Sequence, residues 1–448
     1  MSKVALIGKN SVGFIERLIG IWNRGDCAVL LDWRIPIATA VEMMKEAGVK
    51  KCFLGKTEYG KIKEQLTDEI EFVIFDDECK KATQLPFDIY EKFKSNYSFD
   101  EAVVIYSSGT TGKAKGVILS HFAINTNADA IIEYMKPTAD DCIYIAKTLA
   151  HSSTLTGELL VALKSHAHLL IAPTIVPPRV LVSNIQKNQV TIIGLNPTLL
   201  SMLIDEIERS KQQLKTLKTI YVSGSILNDK IYEKAHRTLY GIKIYNVYGL
   251  SEAGPRVAAQ RADCCKGNSV GKVIKDVELA VVNDTGIVVQ DGIYGMIHVN
   301  TPSLFAGYIS GLSKQVSVYN GWLNTGDIGY IDVNGELRIV GRQDDVIIID
   351  SHKIYPSEVE KQVLRIPSVT ECAVVGIQIE DDIFLGCLYV GNAKIPDLRR
   401  LLGDSIPAYE IPKLIAESNK IPKNRNGKID KKEVCKVIST ICVKEKMI

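Results

Sequence analysis

No run of about 18 consecutive apolar residues occurs in the chain, and the opening Met1-Ser2-Lys3-Val4 has none of the basic and apolar zones of a secretory leader. A cytoplasmic protein with no membrane partner is therefore expected. Charge of one sign is lacking too: 54 basic residues face 52 acidic ones, for a formal net charge of +2. Such a balance builds no field to gather nucleic acid or anionic lipid, so small partners are expected instead. Ten cysteines are present, but none has Cys-x-x-Cys spacing, and the adjacent pair Cys264-Cys265 lacks flanking histidines. That pattern argues against a zinc site or a disulfide framework and for reduced thiols. Internal repeats and low-complexity segments are also missing.

What is present is apolar residue in quantity: 46% of 448 residues, more chain than one hydrophobic core normally serves. Up to about residue 247, short apolar runs alternate with longer periodic stretches. Val4 to Ile7 precedes Phe14 to Trp22, Cys27 to Leu31 precedes Pro36 to Ala47, and Thr191 to Leu195 precedes Pro197 to Ile207. Repeated strand-helix units of this kind predict an α/β fold with parallel sheets covered by helices. From about 268 to 340 the pattern changes to short strands and turns such as Asp284-Thr285-Gly286 and Val333-Asn334-Gly335, a β-rich subdomain. After Gly341-Arg342, a helix at Ser357 to Leu364, strands at Cys372 to Ile377 and Phe384 to Val390, and a helix at Pro396 to Leu402 predict a small α+β domain.

The segment Tyr106-Ser107-Ser108-Gly109-Thr110-Thr111-Gly112-Lys113-Ala114-Lys115-Gly116 follows the apolar strand Glu101 to Ile105. Its glycines let backbone approach phosphate oxygens, its hydroxyls donate hydrogen bonds, and its lysines supply charge. A Walker A loop would need glycine at 107 and a hydroxyl at 114, where the chain has Ser107 and Ala114. Further along, Asn246-Val247-Tyr248-Gly249-Leu250-Ser251-Glu252 offers an aromatic face for a purine and a carboxylate for Mg²⁺. Gly321 to Asp327 presents an acid suited to two ribose hydroxyls. Gly341-Arg342-Gln343-Asp344-Asp345 and Pro422 to Asp430, with Lys428 on an Asn-Gly turn, complete the set.

In their order and spacing these five motifs, with Asn10-Ser11 near the start, resemble the adenylate-forming superfamily: acyl- and aryl-CoA synthetases, peptide-synthetase adenylation domains and luciferases. The resemblance implies that a carboxylic acid attacks the α-phosphate of ATP, and that CoA or a phosphopantetheine thiol then takes the acyl group. It implies that Ser107, Ser108, Gly109, Thr110, Thr111, Gly112 and Lys115 bind the phosphates, with Ser251 on the α-phosphate and Glu252 on Mg²⁺. Ser223, Gly224, Asn246, Tyr248 and Gly249 would surround the adenine, Asp327 and Arg342 would hold the ribose, and Lys428 would bridge carboxylate and α-phosphate. The acid pocket would be lined by His151, Gly194, Ser225 and Leu250. It further implies a large N-terminal domain over 1–343 and a small mobile domain over 344–448, pivoting at Asp344.

Three departures from the family pattern stand out. Ala114 replaces a usual proline. Asp350-Ser351 stand where many CoA ligases carry two glycines beside the thiol tunnel, which keeps a carrier-protein phosphopantetheine open as the acceptor. The phosphate loop also comes early, so the first subdomain is expected to be trimmed before Val4. No carboxylate accompanies Ala150-His151-Ser152-Ser153, which disfavours a free α-amino acid, and the surrounding serines and threonines suit a small or polar acid, including a hydroxylated aryl acid, more than a long acyl chain. A catalytically silent nucleotide-binding protein is the alternative of another class; retention of Glu252, Asp327, Arg342 and Lys428 argues against it. A luciferase-type oxidoreductase has no distinguishing residue here.

Overall fold

The computed structural model describes residues 1–62, 69–78, 81–108, 114–172, 176–262, 264, 269–309, 318–349, 352–379, 382–424 and 427–444; the side chains of 60–62, 108 and 443–444 are not among them. The chain divides into two compact units. One comprises Met1–Ser223, Lys234–Ala280 and His298–Thr325; the other comprises Gly224–Glu233, Val281–Ile297 and Gly326–Ile448. Among the described residues no helix is long and apolar enough to cross a membrane.

The first unit holds two sheets. In the seven-stranded one, strands Glu101–Ser108, Cys27–Asp32, Lys3–Gly8, Lys51–Gly55 and Glu71–Phe75 lie side by side in parallel. Their residues are buried on both pleat faces, Ala5 with Leu6 and Val29 with Leu30, which is why they read as unbroken apolar runs. The second sheet has eight strands, with Cys142–Ile145, Ile192–Leu195, Thr219–Val222 and Lys243–Gly249 parallel at its centre. Local caps start the covering helices where the sequence predicts. Ser11 Oγ accepts from Phe14 N at 3.1 Å ahead of Val12–Asn23, and Asn196 Oδ1 accepts from Leu199 N at 2.8 Å ahead of Pro197–Ser210. Each such cap contributes about 1 kcal/mol.

The second unit is built on a three-stranded sheet: Val369–Ile379 antiparallel to Asp382–Gly391, which pairs in parallel with Leu414–Glu417. Strand alternation splits its core in two. Cys372, Val374, Leu385 and Cys387 pack with Val359 and Val363 of helix Pro356–Arg365 and Leu398 and Leu402 of helix Ile395–Gly403. Ala373, Val375, Ile377 and Leu388 face Val434, Ile438 and Cys442 of helix Lys431–Lys444 on the other side. This last helix follows directly on the Pro422 to Asp430 motif.

The carboxyl of Glu360, a partly exposed residue of the first helix in this unit, is enclosed and accepts from Val374 N at 2.8 Å. Burial, helped by nearby Asp345, pushes it up to about 7, against the pull of the Val374 amide and Lys431. An unfolded glutamate titrates near about 4.3, so across the interval up to 7 the folded carboxyl keeps a proton that the unfolded chain has released. Stability from this group therefore falls as pH rises through that interval. Glu360→Gln should stabilise the second unit by about 1–3 kcal/mol at pH 8 and by almost nothing at pH 4. Denaturant melts at the two pH values check this, and an equal difference at both would contradict it.

Candidate active site

The phosphate loop joins two antiparallel strands, Glu101–Ser108 and Ala114–Ser120, with Ser107 opposite Lys115 and Ser108 opposite Ala114. Gly109, Thr110, Thr111 and Gly112 at its tip lie outside the described residues, as does the side chain of Ser108. A hairpin base is a different frame from the strand-to-helix turn of a P-loop.

Glu252 sits on a 3₁₀ turn, Ser251–Ala253, directly after strand Lys243–Gly249. The turn folds back so tightly that a Cβ on Gly249 would lie 1.9 Å from Pro255 O, and Leu250 N donates to that same oxygen at 2.9 Å. Only glycine fits such a fold-back. Glu252 Oε1 accepts from Tyr308 OH at 2.8 Å, and Lys115 Nζ lies 5.6 Å from the Tyr308 ring centre. Tyr308 in turn pairs with Val117 in register. The hairpin lysine and the acid are thus tied through one tyrosine that sequence reasoning did not single out. Ser251 Oγ lies 2.8 Å from Ser152 Oγ, which brings the α-phosphate candidate beside the expected acid pocket.

That pocket is assembled from distant segments. Asn10, almost wholly buried, donates through Nδ2 to Lys147 O at 2.7 Å and accepts from Leu149 N at 2.9 Å, fixing the backbone ahead of His151. His151 Nδ1 lies 3.1 Å from Ser153 Oγ and caps the start of Ser152–Thr154. The following helix widens to π geometry over Leu155–Leu160 and carries Gly157 and Glu158. Wider turns of this type often occur at functional sites. Glu158 Oε1 pairs with Lys147 Nζ at 2.8 Å, and a Cβ on Gly194 would come within 2.3 Å of that oxygen. Arg256 Nη1 donates to Tyr134 OH. Lys147, Gly157, Glu158, Gly194, Tyr221, Ser223 and Arg256 surround a cavity of about 10 Å³. Burial pushes the Glu158 carboxyl up, while Lys147 and Arg256 pull it down.

Asn246 is held within its own sheet. It is 5% exposed, its Nδ2 donates to Ser269 O at 3.1 Å, and its backbone N–H goes to Gln260 Oε1 at 3.0 Å. Tyr248 and Leu250 are half-buried at the strand end, and Gly249 is exposed.

The second unit holds the remaining candidates. Asp327 and Arg342 face each other across strands Trp322–Ile331 and Leu337–Arg342, with Arg342 Nη1 3.0 Å from Asp327 Oδ1. Gly224 and Ser225 are exposed, Gly224 at φ +100°. Asp344 lies on the 3₁₀ turn Gln343–Asp345, and its neighbour Asp345 pairs with Lys431 at 2.9 Å. Lys428 is exposed on a turn in which its N–H donates to Asn424 Oδ1 at 3.1 Å and Asn424 N donates back to Lys428 O at 2.7 Å. Asp350 and Ser351 lie outside the described residues.

Two domain models of one family match the chain: AMP-binding enzyme over residues 1–309 and AMP-binding enzyme C-terminal domain over 358–428. The chain belongs to the AMP-binding enzyme family, within the adenylate-forming superfamily, and is an AMP-forming acid–thiol ligase. It is 29% identical to the indoleacetate–CoA ligase of Aromatoleum aromaticum over 349 residues, covering 75% of this chain and 67% of that one. Against the 2-succinylbenzoate–CoA ligase of Bacillus mycoides the identity is 27%, covering 97% and 88%. ATP-bound MatB from Rhodopseudomonas palustris shares the fold at a TM-score of 0.86 with 21% identity, covering 98% and 89%.

The Tyr308–Glu252 contact generates a prediction. Partners that orient a metal-holding carboxylate typically matter 10- to 100-fold for metal affinity. Tyr308→Phe should raise the Mg²⁺ concentration needed for half-maximal pyrophosphate exchange by about tenfold and leave the melting temperature nearly unchanged. An unaltered Mg²⁺ requirement would separate Tyr308 from that role.

Proposed function

We propose that this ligase adenylates a small or polar carboxylic acid and passes the acyl group to CoA. The observation that supports this reading is that Gly194, expected in the acid pocket, meets Gly157 and Ser223 around one small cavity. A space of that size beyond the reacting end suits a short acid better than a long acyl chain.

In the first half-reaction a carboxylate oxygen of the acid attacks the α-phosphorus of ATP, the bond to the bridging oxygen breaks, and pyrophosphate leaves. Ser107, Ser108, Lys115 and the loop from Gly109 to Gly112 hold the departing phosphates, and Ser251 contacts the α-phosphate. Ser223, Gly224, Tyr248 and Gly249 border the adenine, and Asp327 with Arg342 holds the ribose. A single carboxylate plus phosphate oxygens is a usual Mg²⁺ environment, and Glu252, oriented by Tyr308, fits that role. Bound there, Mg²⁺ would offset charge on the leaving pyrophosphate. Lys428 neutralises the charge that gathers between carboxylate and α-phosphate. In the second half-reaction a thiol attacks the carbonyl carbon and AMP leaves. Asp344 is the hinge about which residues 344–448 reorient between these steps. Asp350-Ser351, in place of a glycine pair, favours a second reading in which the thiol is a carrier-protein phosphopantetheine.

Pyrophosphate exchange across aryl, short acyl and amino acids, followed by CoA consumption, tests the assignment. Exchange without CoA consumption would move the acceptor to a carrier protein. Removing one preorganised donor at such a centre typically costs about 100- to 1,000-fold in rate. Lys428→Ala should lose that much adenylation while binding ATP almost normally, and full activity in this variant would overturn the role of Lys428. Asp344→Pro should slow thioester formation at least about tenfold more than pyrophosphate exchange. Equal losses in the two half-reactions would remove the hinge.

A further inference from the structure

Two buried charged residues, Glu158 and Arg256, line one small space, and one oxygen of Glu158 has no hydrogen-bond partner there. Glu158 is 5% exposed; Lys147 takes its Oε1, and its Oε2 is buried without a hydrogen-bond partner. Arg256 is 6% exposed and spends Nη1 on Tyr134, while its Nη2 lies 3.2 Å from the Cβ position of Gly157. No carboxylate is within ion-pair distance of Arg256 among the described residues. An enclosed carboxylate oxygen with nothing to accept from is costly, and a buried guanidinium short of acceptors is costlier. Both residues line the cavity that also touches Gly157, Gly194 and Ser223.

The dimensions and the charges restrict what completes this site. About 10 Å³ is the space of one water or one hydroxyl. A second carboxylate would meet Lys147 and Arg256, but it is larger than this space. An ammonium would meet Lys147 and Arg256. An apolar group would leave Glu158 Oε2 as it is. A hydroxyl both donates and accepts, and so can give a proton to Glu158 Oε2 while accepting from the Arg256 guanidinium.

Building on the acid-pocket reading, we propose that the cleft between Gly157 and Gly194 is a hydroxyl slot. The acid activated by this ligase carries a neutral hydroxyl that donates to Glu158 Oε2 and accepts from Arg256 Nη2. Lys147 acts as a positioning residue, since it holds Oε1 and leaves Oε2 as the oxygen still able to accept. The assignment narrows the substrate from a small polar acid to a hydroxy acid.

Pyrophosphate exchange by the full-length protein with matched pairs reads this directly. Suitable pairs are benzoate with its three monohydroxy isomers, phenylacetate with 4-hydroxyphenylacetate, cinnamate with 4-coumarate, and propanoate with 3-hydroxypropanoate; phthalate and 4-aminobenzoate stand in for the excluded charges. A site that hydrogen-bonds a substrate hydroxyl through charged groups rejects the analogue lacking it, so the hydroxylated member of the best pair should win by about 100-fold in kcat/KM. In Glu158→Gln, the amide oxygen stays on Lys147 and turns its NH₂ into the slot, so the preference should fall to within about threefold while the melting temperature holds. Equal rates within every pair in the wild-type protein would overturn the slot and leave the ligase reading intact, as would a preference for phthalate or 4-aminobenzoate. A preference that persists undiminished in folded Glu158→Gln would overturn the role of Glu158. Exchange with no acid at all would remove the small-acid reading and the slot with it.

Discussion

Parallel pairing of four central strands is the constraint on which the site depends. Ile192 sits opposite Ile143 and Thr219, and Thr219 opposite Lys243, so Cys142–Ile145, Ile192–Leu195, Thr219–Val222 and Lys243–Gly249 all finish on one edge. Helices on both faces leave no polar room along these strands. Side chains that carry chemistry therefore come from the residues at and just beyond each carboxyl end: Lys147, Asn196, Ser223 and the run from Tyr248 to Glu252. One register decision collects residues more than a hundred positions apart in the chain.

The parts of this arrangement carried by local pattern were readable from the sequence. Unbroken apolar runs announced parallel strands, and the ordered motifs announced the family. Glu158 was not readable, because it lies in the apolar stretch Leu155 to Leu163, where a single acid looks like a helix surface residue. Its inward orientation follows from the π-widened turn and from Lys147, neither of which has a sequence signature. Tyr308 was equally silent, since a two-residue strand beside the phosphate hairpin leaves no periodicity to detect. The hydrogen bonds of Asn246 to Ser269 and Gln260 were equally unreadable, since both partners lie across a turn with no pattern of its own. The helix Lys431–Lys444 was hidden by its lysines, although Val434, Ile438 and Cys442 recur at helical spacing.

Buried charge in the first unit is informative because it is a poor means of stabilisation. An enclosed ion pair such as Lys147–Glu158 seldom exceeds a well-packed apolar pair in stability, since desolvation offsets most of the attraction. Adding Arg256 beside it leaves two cations and one anion in a space with little water. Gly194 and Gly157 make room for these groups where any side chain would collide with them or crowd them. An arrangement costly to the free protein is explained by what it does when a substrate completes it.

The two ends of the acid are then treated differently in energetic terms. A contact to a distal hydroxyl is the same in the bound acid, in the transition state and in the acyl-adenylate, so it stabilises all three alike. Its effect is on which acid binds and on how that acid is aligned, and alignment matters because a small displacement at the reacting carboxylate weakens every other interaction. Charge at the α-phosphate develops only as the new bond forms, so groups that meet it act on the rate. Tyr308 links the two tasks on the phosphate side, because it touches both the carboxylate proposed for Mg²⁺ and the lysine of the hairpin. Selection at one end and rate at the other need opposite physical surroundings, a dry fixed cleft and a mobile source of positive charge. The parallel sheet supplies the first, and the proposed role of Lys428 asks the other of an exposed turn.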